Sequence, residues 1–222
     1  ELFETNCIKM GAFKLRNGDV SKYYFDIKNL ISYPSLLKKV GDAIYKLIKE
    51  QEVDIICGVP IGGLPLCTYI SVTYNIPMII VRNEVKNYGT SKQIEGNFKK
   101  TDKCIVIEDV ITTGASLENV VSILKDQVNV VSSIVVLDRQ QGHSVSVPVQ
   151  SLITKTEITR YTLSKIMEEK KSRLCFSADI YDTERLLTML DKIGQYIVIC
   201  KIHYDCYKCD EDIKRTLIDL SV

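Results

Sequence analysis

The sequence predicts an α/β fold in which helices flank a parallel β-sheet, and two patterns support that prediction. Runs rich in valine and isoleucine recur along the chain, and several are apolar on both faces, as the central strands of a parallel sheet are. Segments with helical spacing lie between these runs, an alternation typical of a doubly covered sheet. The predicted strands are residues 53–57, 76–81, 104–107, 133–137 and 149–153.

Two amphipathic helices are predicted in the same part of the chain. Leucine, valine and isoleucine follow helical spacing over residues 36–48 and again over 117–124. The segment "KTEITRYTLSKIMEEKKS" follows the last of these strands, and its apolar residues predict a short linker helix over 157–171. We therefore expect a first domain over residues 1–156.

The alternation of strands and helices restarts after the linker. A strand is predicted over "LCFSAD", then a helix over Thr183–Ile193 that Gly194 closes. A second strand over "YIVICKI" and a helix over 210–220 complete two further βα units. These units make residues 172–222 a separate C-terminal segment.

Length, composition and charge exclude several classes of protein. The chain has 222 residues, of which 45% are hydrophobic and 26% charged, enough for a sizeable globular core. Its formal net charge of +1 gives no broad positive field, so we expect no nucleic-acid partner. No apolar stretch approaches the roughly 20 residues that span a bilayer, and the first residues lack the pattern of a secretory signal. We therefore expect a cytoplasmic protein that does not bind membranes.

The eight cysteines are expected to be reduced, because a chain of this length does not need a disulfide scaffold. The stretch "CKIHYDCYKC" places Cys200, His203, Cys206 and Cys209 three residues apart, a spacing that also suits a zinc site. If residues 197–203 form a strand, Cys200 and His203 point to opposite faces, which favours ordinary structural roles over zinc binding.

The most informative stretch is "CIVIEDVITTGASL", residues 104–117, in which an apolar run leads through two acids into a small, hydroxyl-rich loop and a helix. A loop before a helix presents free backbone N–H groups and the positive end of the helix dipole, so residues 112–116 suit a phosphate. Glu108 and Asp109 precede that loop, at the strand end where ligands of open α/β sheets bind. Carboxylates repel phosphate but accept hydrogen bonds from sugar hydroxyls. A ribose 5-phosphate therefore matches both halves of the motif.

This stretch closely resembles the phosphoribosyl pyrophosphate (PRPP) signature of type I phosphoribosyltransferases. Four ordered segments resemble those of the orotate phosphoribosyltransferase domain of eukaryotic UMP synthase: "GAFKLRNGDVSKYYFD", "ICGVPIGGLPL", "IPMIIVRNEVKNYGTSKQIEG" and "VVLDRQQG". The resemblance covers residues 2–156 and implies the type I phosphoribosyltransferase fold. Further on, "RLCFSADIYDTERLLTMLDKIGQYIVICKIHYD" resembles the first two βα units of the OMP decarboxylase half of UMP synthase.

We expect no decarboxylase activity from that second segment. The family places its catalytic Asp-Lys-Asp centre on a later strand with a DxKxxD pattern, and this sequence contains no such pattern. A complete barrel of this kind needs about 250 residues. The resemblance therefore implies a truncated OMP decarboxylase-like segment over 172–222.

The resemblance implies transfer of ribose 5-phosphate from PRPP to N1 of orotate, which gives orotidine 5′-monophosphate (OMP) and pyrophosphate in pyrimidine biosynthesis. It also implies Mg²⁺ carried on the pyrophosphate near Asp109 rather than by protein side chains. A mobile lid over "KNYGTSKQIEGNFKK" would reach into the neighbouring subunit, so a homodimer is implied. The residues implied in catalysis are Lys86, Arg82 and Asp109. The residues implied in substrate binding are Glu108, Asp109, Val110, Ile111, Thr112, Thr113, Gly114, Ala115, Ser116, Arg139, Arg16, Tyr24, Phe25 and Tyr88.

Among these, Arg139 matches the position that pairs with the orotate carboxylate, a contact suited to the planar guanidinium. Thr112 matches a second orotate contact. Tyr24 and Phe25 match the aromatic pair beside the base, although ordinary core positions explain two aromatics equally well.

Three departures from the family pattern leave the activity open. Asn83 replaces the first lid lysine in "RNEVK", "LRNG" stands in place of Leu-Lys-Ser-Gly, and Ile61 replaces the usual tyrosine of the pyrophosphate loop. Losing one charge-assisted contact costs about 1.5 to 3 kcal/mol, or roughly 10- to 150-fold in rate. The favoured hypothesis is a working orotate phosphoribosyltransferase, which these departures could slow. The alternative is a catalytically inactive relative that binds PRPP or a protein partner.

Overall fold

The computed structural model describes residues 1–14, 18, 20–82, 93–180 and 182–202. These residues divide into two compact units. The first unit comprises Glu1–Cys7 and Asp26–Thr156, and the second comprises Ile8–Phe25 and the chain from Glu157 onward.

The strands and helices of the described residues are numbered in chain order. The strands are β1 (Ile8–Lys14), β2 (Val20–Phe25), β3 (Ile55–Gly58), β4 (Met78–Val81), β5 (Ile94–Glu95), β6 (Lys103–Ile111), β7 (Asn129–Asp138), β8 (Val149–Thr154), β9 (Leu174–Ala178) and β10 (Ile197–Ile202). The helices are α1 (Pro34–Ile48), α2 (Gly63–Tyr74), α3 (Ala115–Leu124), α4 (Lys155–Lys170) and α5 (Thr183–Ile193).

The first unit contains a six-stranded sheet in the order β5-β4-β3-β6-β7-β8. Strands β4, β3, β6, β7 and β8 are parallel, and the two-residue β5 pairs antiparallel with β4 at one edge. Each predicted strand corresponds to one of the five parallel strands, so the α/β prediction is confirmed. Parallel strands are covered on both faces, which explains why their sequences are apolar throughout.

Strand β6 extends beyond the apolar run from which it was predicted. Its ladder with β7 continues through Glu108, paired with Val135, to Ile111, paired with Asp138. The acid pair therefore lies within β6 and not after it. Apolar content located the strand, but a strand continues as long as its backbone finds hydrogen-bonding partners, whatever its side chains are.

Helices α1 and α2 pack closely on each other through small and aromatic residues. A Cβ atom on Gly41 would lie 2.3 Å from a ring carbon of Tyr69, so only glycine leaves room for that ring. The hydroxyls of Tyr69 and Tyr74 both donate to Asp42 Oδ1, at 2.5 and 2.6 Å. The ring of Tyr45 stacks on Tyr74 with centroids 3.5 Å apart. Proline at the first position of α1 suits a helix start, because its missing N–H group would have no partner there.

The second unit contains the antiparallel hairpin β1-β2, helix α4 and the parallel pair β9-β10 with α5. The buried hydroxyl of Tyr23 on β2 lies 2.6 Å from Thr162 Oγ1 on α4 and ties the hairpin to that helix. Leu186 and Leu190 of α5 pack with Ala178 in a small core. The contacts group the hairpin with the C-terminal segment, whereas the sequence suggested one domain over 1–156. The domain boundaries themselves stay predictions.

Helix α5 has the predicted limits. Asp182 caps its first turn, where Oδ1 accepts a hydrogen bond from the N–H of Arg185 at 3.1 Å. Gly194 follows the helix with φ −53°, in the right-handed region, and the chain continues into a short 3₁₀ turn over Gly194–Tyr196. Gly194 therefore ends α5 without the left-handed conformation usual for such a glycine. The predicted helix over 210–220 lies outside the described residues.

The described cysteines form no disulfide bond with one another, and their reduced state stays a prediction. Burial raises the pKa of Cys57 to about 12 and also raises those of Cys67 and Cys104, so these thiols behave as small apolar side chains. Cys175 lies in the apolar stretch "LCFSAD", but its side chain is exposed on β9. Within the described ranges, no group of His, Cys, Asp and Glu could hold a metal ion, and no helix could cross a membrane. His203, Cys206 and Cys209 lie outside those ranges.

Candidate active site

Strand β6 carries the acid pair from the core to the carboxyl edge of the sheet. Residues 104–107 are completely buried between β3 and β7, and the acids that follow remain buried, with Glu108 7% and Asp109 4% exposed. Neighbouring side chains on a strand point in opposite directions, so the two carboxylates have different surroundings. Buried acids without compensation are costly, and both acids therefore require partners or altered ionisation.

Asp109 pairs with a lysine, and its carboxylate fits into space that is available only because residue 62 is a glycine. Lys28 Nζ donates to Asp109 Oδ2 at 3.0 Å. Gly62 also lies against Asp109, because an added Cβ there would be 2.2 Å from Asp109 Cγ and 2.3 Å from Oδ1. Burial alone would lower the pKa of Lys28, but the hydrogen bond and charge of Asp109 outweigh it and raise that pKa.

Glu108 has a different environment. Burial, reinforced by the negative charge of Asp109 and only partly offset by Lys28, raises the pKa of Glu108 to about 7. Near neutral pH this carboxyl is therefore protonated for much of the time, and it can donate as well as accept a hydrogen bond. The acid pair consequently carries less negative charge than its sequence indicates.

The loop after β6 forms the start of α3. Gly114 precedes the helix with φ +83°, and it has no side chain that could cap α3. The N–H of Glu118 bonds to Gly114 O at 2.8 Å, which leaves the N–H groups of the first helical residues without partners inside the helix. An added Cβ on Gly114 would meet Val145 at 2.6 Å, so glycine is required both by its dihedral angle and by the available space. This geometry suits an anion.

A second loop, residues 139–148, packs against residues 112–116, the predicted phosphate-binding loop, which is called the phosphate loop below. The N–H of Ser144 donates to Thr113 O at 3.2 Å, and the N–H of Ser146 donates to Glu118 Oε2 at 2.7 Å. Arg139 begins this loop, and its N–H donates to Ile111 O at 3.1 Å. Burial lowers the pKa of the Arg139 guanidinium from its ordinary value. The backbone of Arg139 therefore lies directly beside the last residue of β6.

The other predicted site residues lie apart from this cluster or outside the described residues. Arg82, at the end of β4, directs Nε and Nη2 to Glu95 Oε1 at 2.7 and 2.6 Å. Tyr24 and Phe25 belong to the second unit, where Tyr24 is 45% exposed and Phe25 stacks on Tyr23. Lys86, Tyr88 and Arg16 lie outside the described residues, as does Asn83. The first unit thus brings together residues 108–116 and Arg139.

Sequence reasoning missed Lys28 and Gly62. Gly62 belongs to the quoted segment "ICGVPIGGLPL", and two adjacent glycines after a buried strand were a signal that a close approach occurs there. Lys28 lies two residues beyond the quoted segment "GAFKLRNGDVSKYYFD", and nothing in the local pattern distinguishes it from other surface lysines.

The fold and this site are those of a phosphoribosyltransferase. Residues 26–160 match the phosphoribosyl transferase domain family, and the chain belongs to that family. Within it, the chain belongs with the orotate phosphoribosyltransferases. The orotate phosphoribosyltransferase of Methanocaldococcus jannaschii is 40% identical over 142 residues, which cover 64% of this chain and 80% of that protein.

Two further similarities extend this result. The solved structure of orotate phosphoribosyltransferase from Aeropyrum pernix has a TM-score of 0.64 and 27% identity, and covers 72% of this chain and 95% of that one. The uridine 5′-monophosphate synthase of Bos taurus is 29% identical, in a match that covers 92% of this chain and therefore extends beyond the transferase domain. This chain spans only 56% of that synthase.

Proposed function

We propose that this protein is an orotate phosphoribosyltransferase of pyrimidine nucleotide biosynthesis, which transfers ribose 5-phosphate from PRPP to orotate. The observation that carries the proposal is the buried pair Glu108 and Asp109, followed after a few residues by the uncapped start of α3. Carboxylates bind sugar hydroxyls, and a helix N-terminus binds phosphate. A ribose 5-phosphate carries both kinds of group in one molecule.

The chemistry requires positioning and charge stabilisation more than a covalent intermediate. The bond between C1′ and the pyrophosphate oxygen breaks, and its electron pair leaves with the pyrophosphate. N1 of orotate forms the new bond to C1′, and its proton passes to the departing pyrophosphate or to water. The N–H groups of residues 112–116 would hold the 5′-phosphate, Asp109 and Glu108 the ribose hydroxyls, and Arg139 the orotate carboxylate. Because a protonated Glu108 adds no negative charge, it reduces repulsion of the polyanionic substrate.

Magnesium fits this site through the substrate. The described residues provide no cluster of three metal-binding side chains, and Mg²⁺ is usually held by substrate phosphates with one or two carboxylates and water. The pyrophosphate would therefore hold the ion, with Asp109 as a nearby acid. Bound there, Mg²⁺ supplies positive charge to the leaving group.

The remaining parts of the proposal concern the lid and the assembly. Lys86, Arg82 and Tyr88 are proposed to contact the pyrophosphate from the lid, Arg16 to contribute charge, and Tyr24 and Phe25 to flank the base. A homodimer in the cytoplasm is proposed with them. The family resemblance supports these assignments.

One observation favours the alternative of an inactive, PRPP-binding relative. The guanidinium of Arg82 is already paired with Glu95, and Asn83 has no charge for the pyrophosphate. A site that binds PRPP but does not stabilise the departing pyrophosphate would hold the substrate without catalysing the transfer.

The test is orotate consumption, followed by absorbance, with purified protein, PRPP and Mg²⁺. We expect turnover by the unchanged protein, loss of turnover in Asp109→Asn, and no effect of Asp126→Asn, which alters an exposed aspartate near the end of α3. Equal rates in Asp109→Asn and the unchanged protein would contradict the assigned site. PRPP binding by calorimetry without turnover would establish the inactive alternative.

A further inference from the structure

The backbone around Lys28 is fixed by packing and hydrogen bonds, and its side chain contacts Asp109. It belongs to a short 3₁₀ turn, Ile27–Ser32, in which Ile27 and Leu30 are each only 2% exposed. Two backbone hydrogen bonds stabilise the turn, from Asn29 N–H to Asp26 O at 3.1 Å and from Tyr33 N–H to Leu30 O at 2.9 Å. Buried side chains on both sides of Lys28 therefore fix the position of its backbone.

The Lys28 side chain has an apolar support. Lys28 lines a surface cavity together with Ile31, Ile61, Pro65 and Leu66. A lysine stem can lie along apolar surface of this kind while its ammonium group reaches a polar partner. The ammonium group of Lys28 therefore reaches Asp109 without needing an extended, unsupported side chain.

The ion pair is asymmetric in its exposure. The side chain of Asp109 is 6% exposed and that of Lys28 is 59% exposed, so the lysine approaches the carboxylate from the solvent side. A half-exposed ion pair contributes little to folding stability. The pair does, however, determine which atoms of the carboxylate are available. Lys28 donates to Oδ2 at 3.0 Å. Gly62, which has no side chain, leaves room for the carboxylate beside it, since an added Cβ would lie 2.3 Å from Oδ1 and 2.5 Å from Oδ2.

The positive charge of Lys28 also bears on the binding of PRPP. Glu108 and Asp109 are consecutive acids, and PRPP carries several negative charges. The lysine neutralises the ionised carboxylate nearest to it, so that the sugar hydroxyls can bind to acids without strong repulsion of the attached phosphates.

We propose that Lys28 is a positioning residue for the ribose of the substrate: it holds Asp109 through Oδ2 and leaves Oδ1 to accept a hydrogen bond from a ribose hydroxyl. This inference rests on the proposed function. It assigns to Lys28 a role at the sugar and not at the pyrophosphate, and that distinction can be measured.

The experiment compares the affinities for two partial ligands, ribose 5-phosphate and inorganic pyrophosphate with Mg²⁺, by calorimetry. In Lys28→Gln we expect the ribose 5-phosphate affinity to fall about 10-fold or more, as the loss of a charge-assisted contact predicts. The pyrophosphate affinity should stay within about twofold, a change of less than 0.5 kcal/mol. Lys28→Arg should restore most of the sugar-phosphate affinity, since it retains the donor and the charge.

The matched control is Lys103→Gln, which removes an ion pair with Glu52 at the opposite end of the same strand, β6. It should leave both affinities unchanged. Steady-state kinetics provide a second readout: Lys28→Gln should raise KM for PRPP and leave KM for orotate unchanged. If Lys28→Gln does not fold, Lys28→Met, which keeps an apolar stem, takes its place.

Three outcomes would overturn the inference. Unchanged ribose 5-phosphate binding in Lys28→Gln removes the positioning role and leaves the proposed function intact. An equal loss for both ligands shows a general charge effect and not a role at the sugar. A wild-type protein that binds no ribose 5-phosphate overturns the proposed function, and this inference with it.

Discussion

Gly62→Ala tests the geometry of the acid pair without touching either acid. Gly62 has φ −67° and ψ −32°, a conformation that alanine adopts freely, so the effect of the added methyl group is purely steric. That methyl would lie 2.2 Å from Asp109 Cγ, 2.3 Å from Oδ1 and 2.5 Å from Oδ2. Ordinary contacts between carbon atoms are about 3.5 to 4.0 Å, so the carboxylate must move by roughly 1 Å or more.

The consequences of such a shift follow from the distances. The Lys28 Nζ to Asp109 Oδ2 distance is 3.0 Å, so a displacement of roughly 1 Å is large enough to spoil the geometry of this hydrogen bond. A misplacement of about 1 Å at a reacting group can cost roughly 100-fold in rate. We therefore expect kcat/KM of Gly62→Ala to fall about 100-fold, with a loss of about 1 to 3 kcal/mol in the free energy of unfolding from overpacking.

The assay combines orotate consumption with chemical denaturation. Gly194→Ala is the matched control, because Gly194 has φ −53° and an added Cβ meets nothing within 4 Å. In a double-mutant cycle, Gly62→Ala should cost much less stability in an Asp109→Ala background, where the clash is absent. A Gly62→Ala protein with wild-type kcat/KM would refute the reasoning.

Three more predictions concern Glu108, Asp42 and Gly114. The pKa of Glu108 is raised from 4.5 to about 7, so the free energy of unfolding should fall as the pH rises from about 4.5 to 7. Glu108→Gln should remove this pH dependence when chemical denaturation at pH 5 is compared with denaturation at pH 8. An unchanged difference between the two pH values would contradict the raised pKa. Two tyrosine hydroxyls lower the pKa of Asp42, so its contribution to stability is present above pH 3.8 and is lost as the pH falls through the lowered pKa. Asp42→Asn should lower the melting temperature at pH 7, and its difference from wild type should shrink in acid; a constant difference would argue against the role of ionised Asp42. Gly114→Ala should cost about 1 to 2 kcal/mol of stability from the φ of +83°, and more from the contact of the new Cβ with Val145 at 2.6 Å. It should also weaken ribose 5-phosphate binding in calorimetry, and unchanged binding would argue against a phosphate at this loop.

Local sequence determined the framework of this protein and the position of its chemistry. Valine- and isoleucine-rich runs located the five parallel strands, because a strand covered on both faces must be apolar on both faces. The stretch from Glu108 to Ser116 indicated a sugar and phosphate site, since acids before an uncapped helix start are informative at the level of adjacent residues. The family resemblance likewise depended on short contiguous segments.

Tertiary structure decided what surrounds that chemistry. Lys28 meets Asp109 across 81 positions of sequence, and no periodicity or motif spans such a separation. The raised pKa of Glu108 depends on how deeply β6 is buried, and the grouping of the hairpin β1-β2 with α4 depends on the contact of Tyr23 with Thr162. Sequence patterns report neighbours within a few residues, whereas charge, space and hydrogen-bond partners at a site depend on packing between distant segments. The sequence therefore indicated which residue types form the candidate site, whereas only the tertiary structure shows which distant residues contact them.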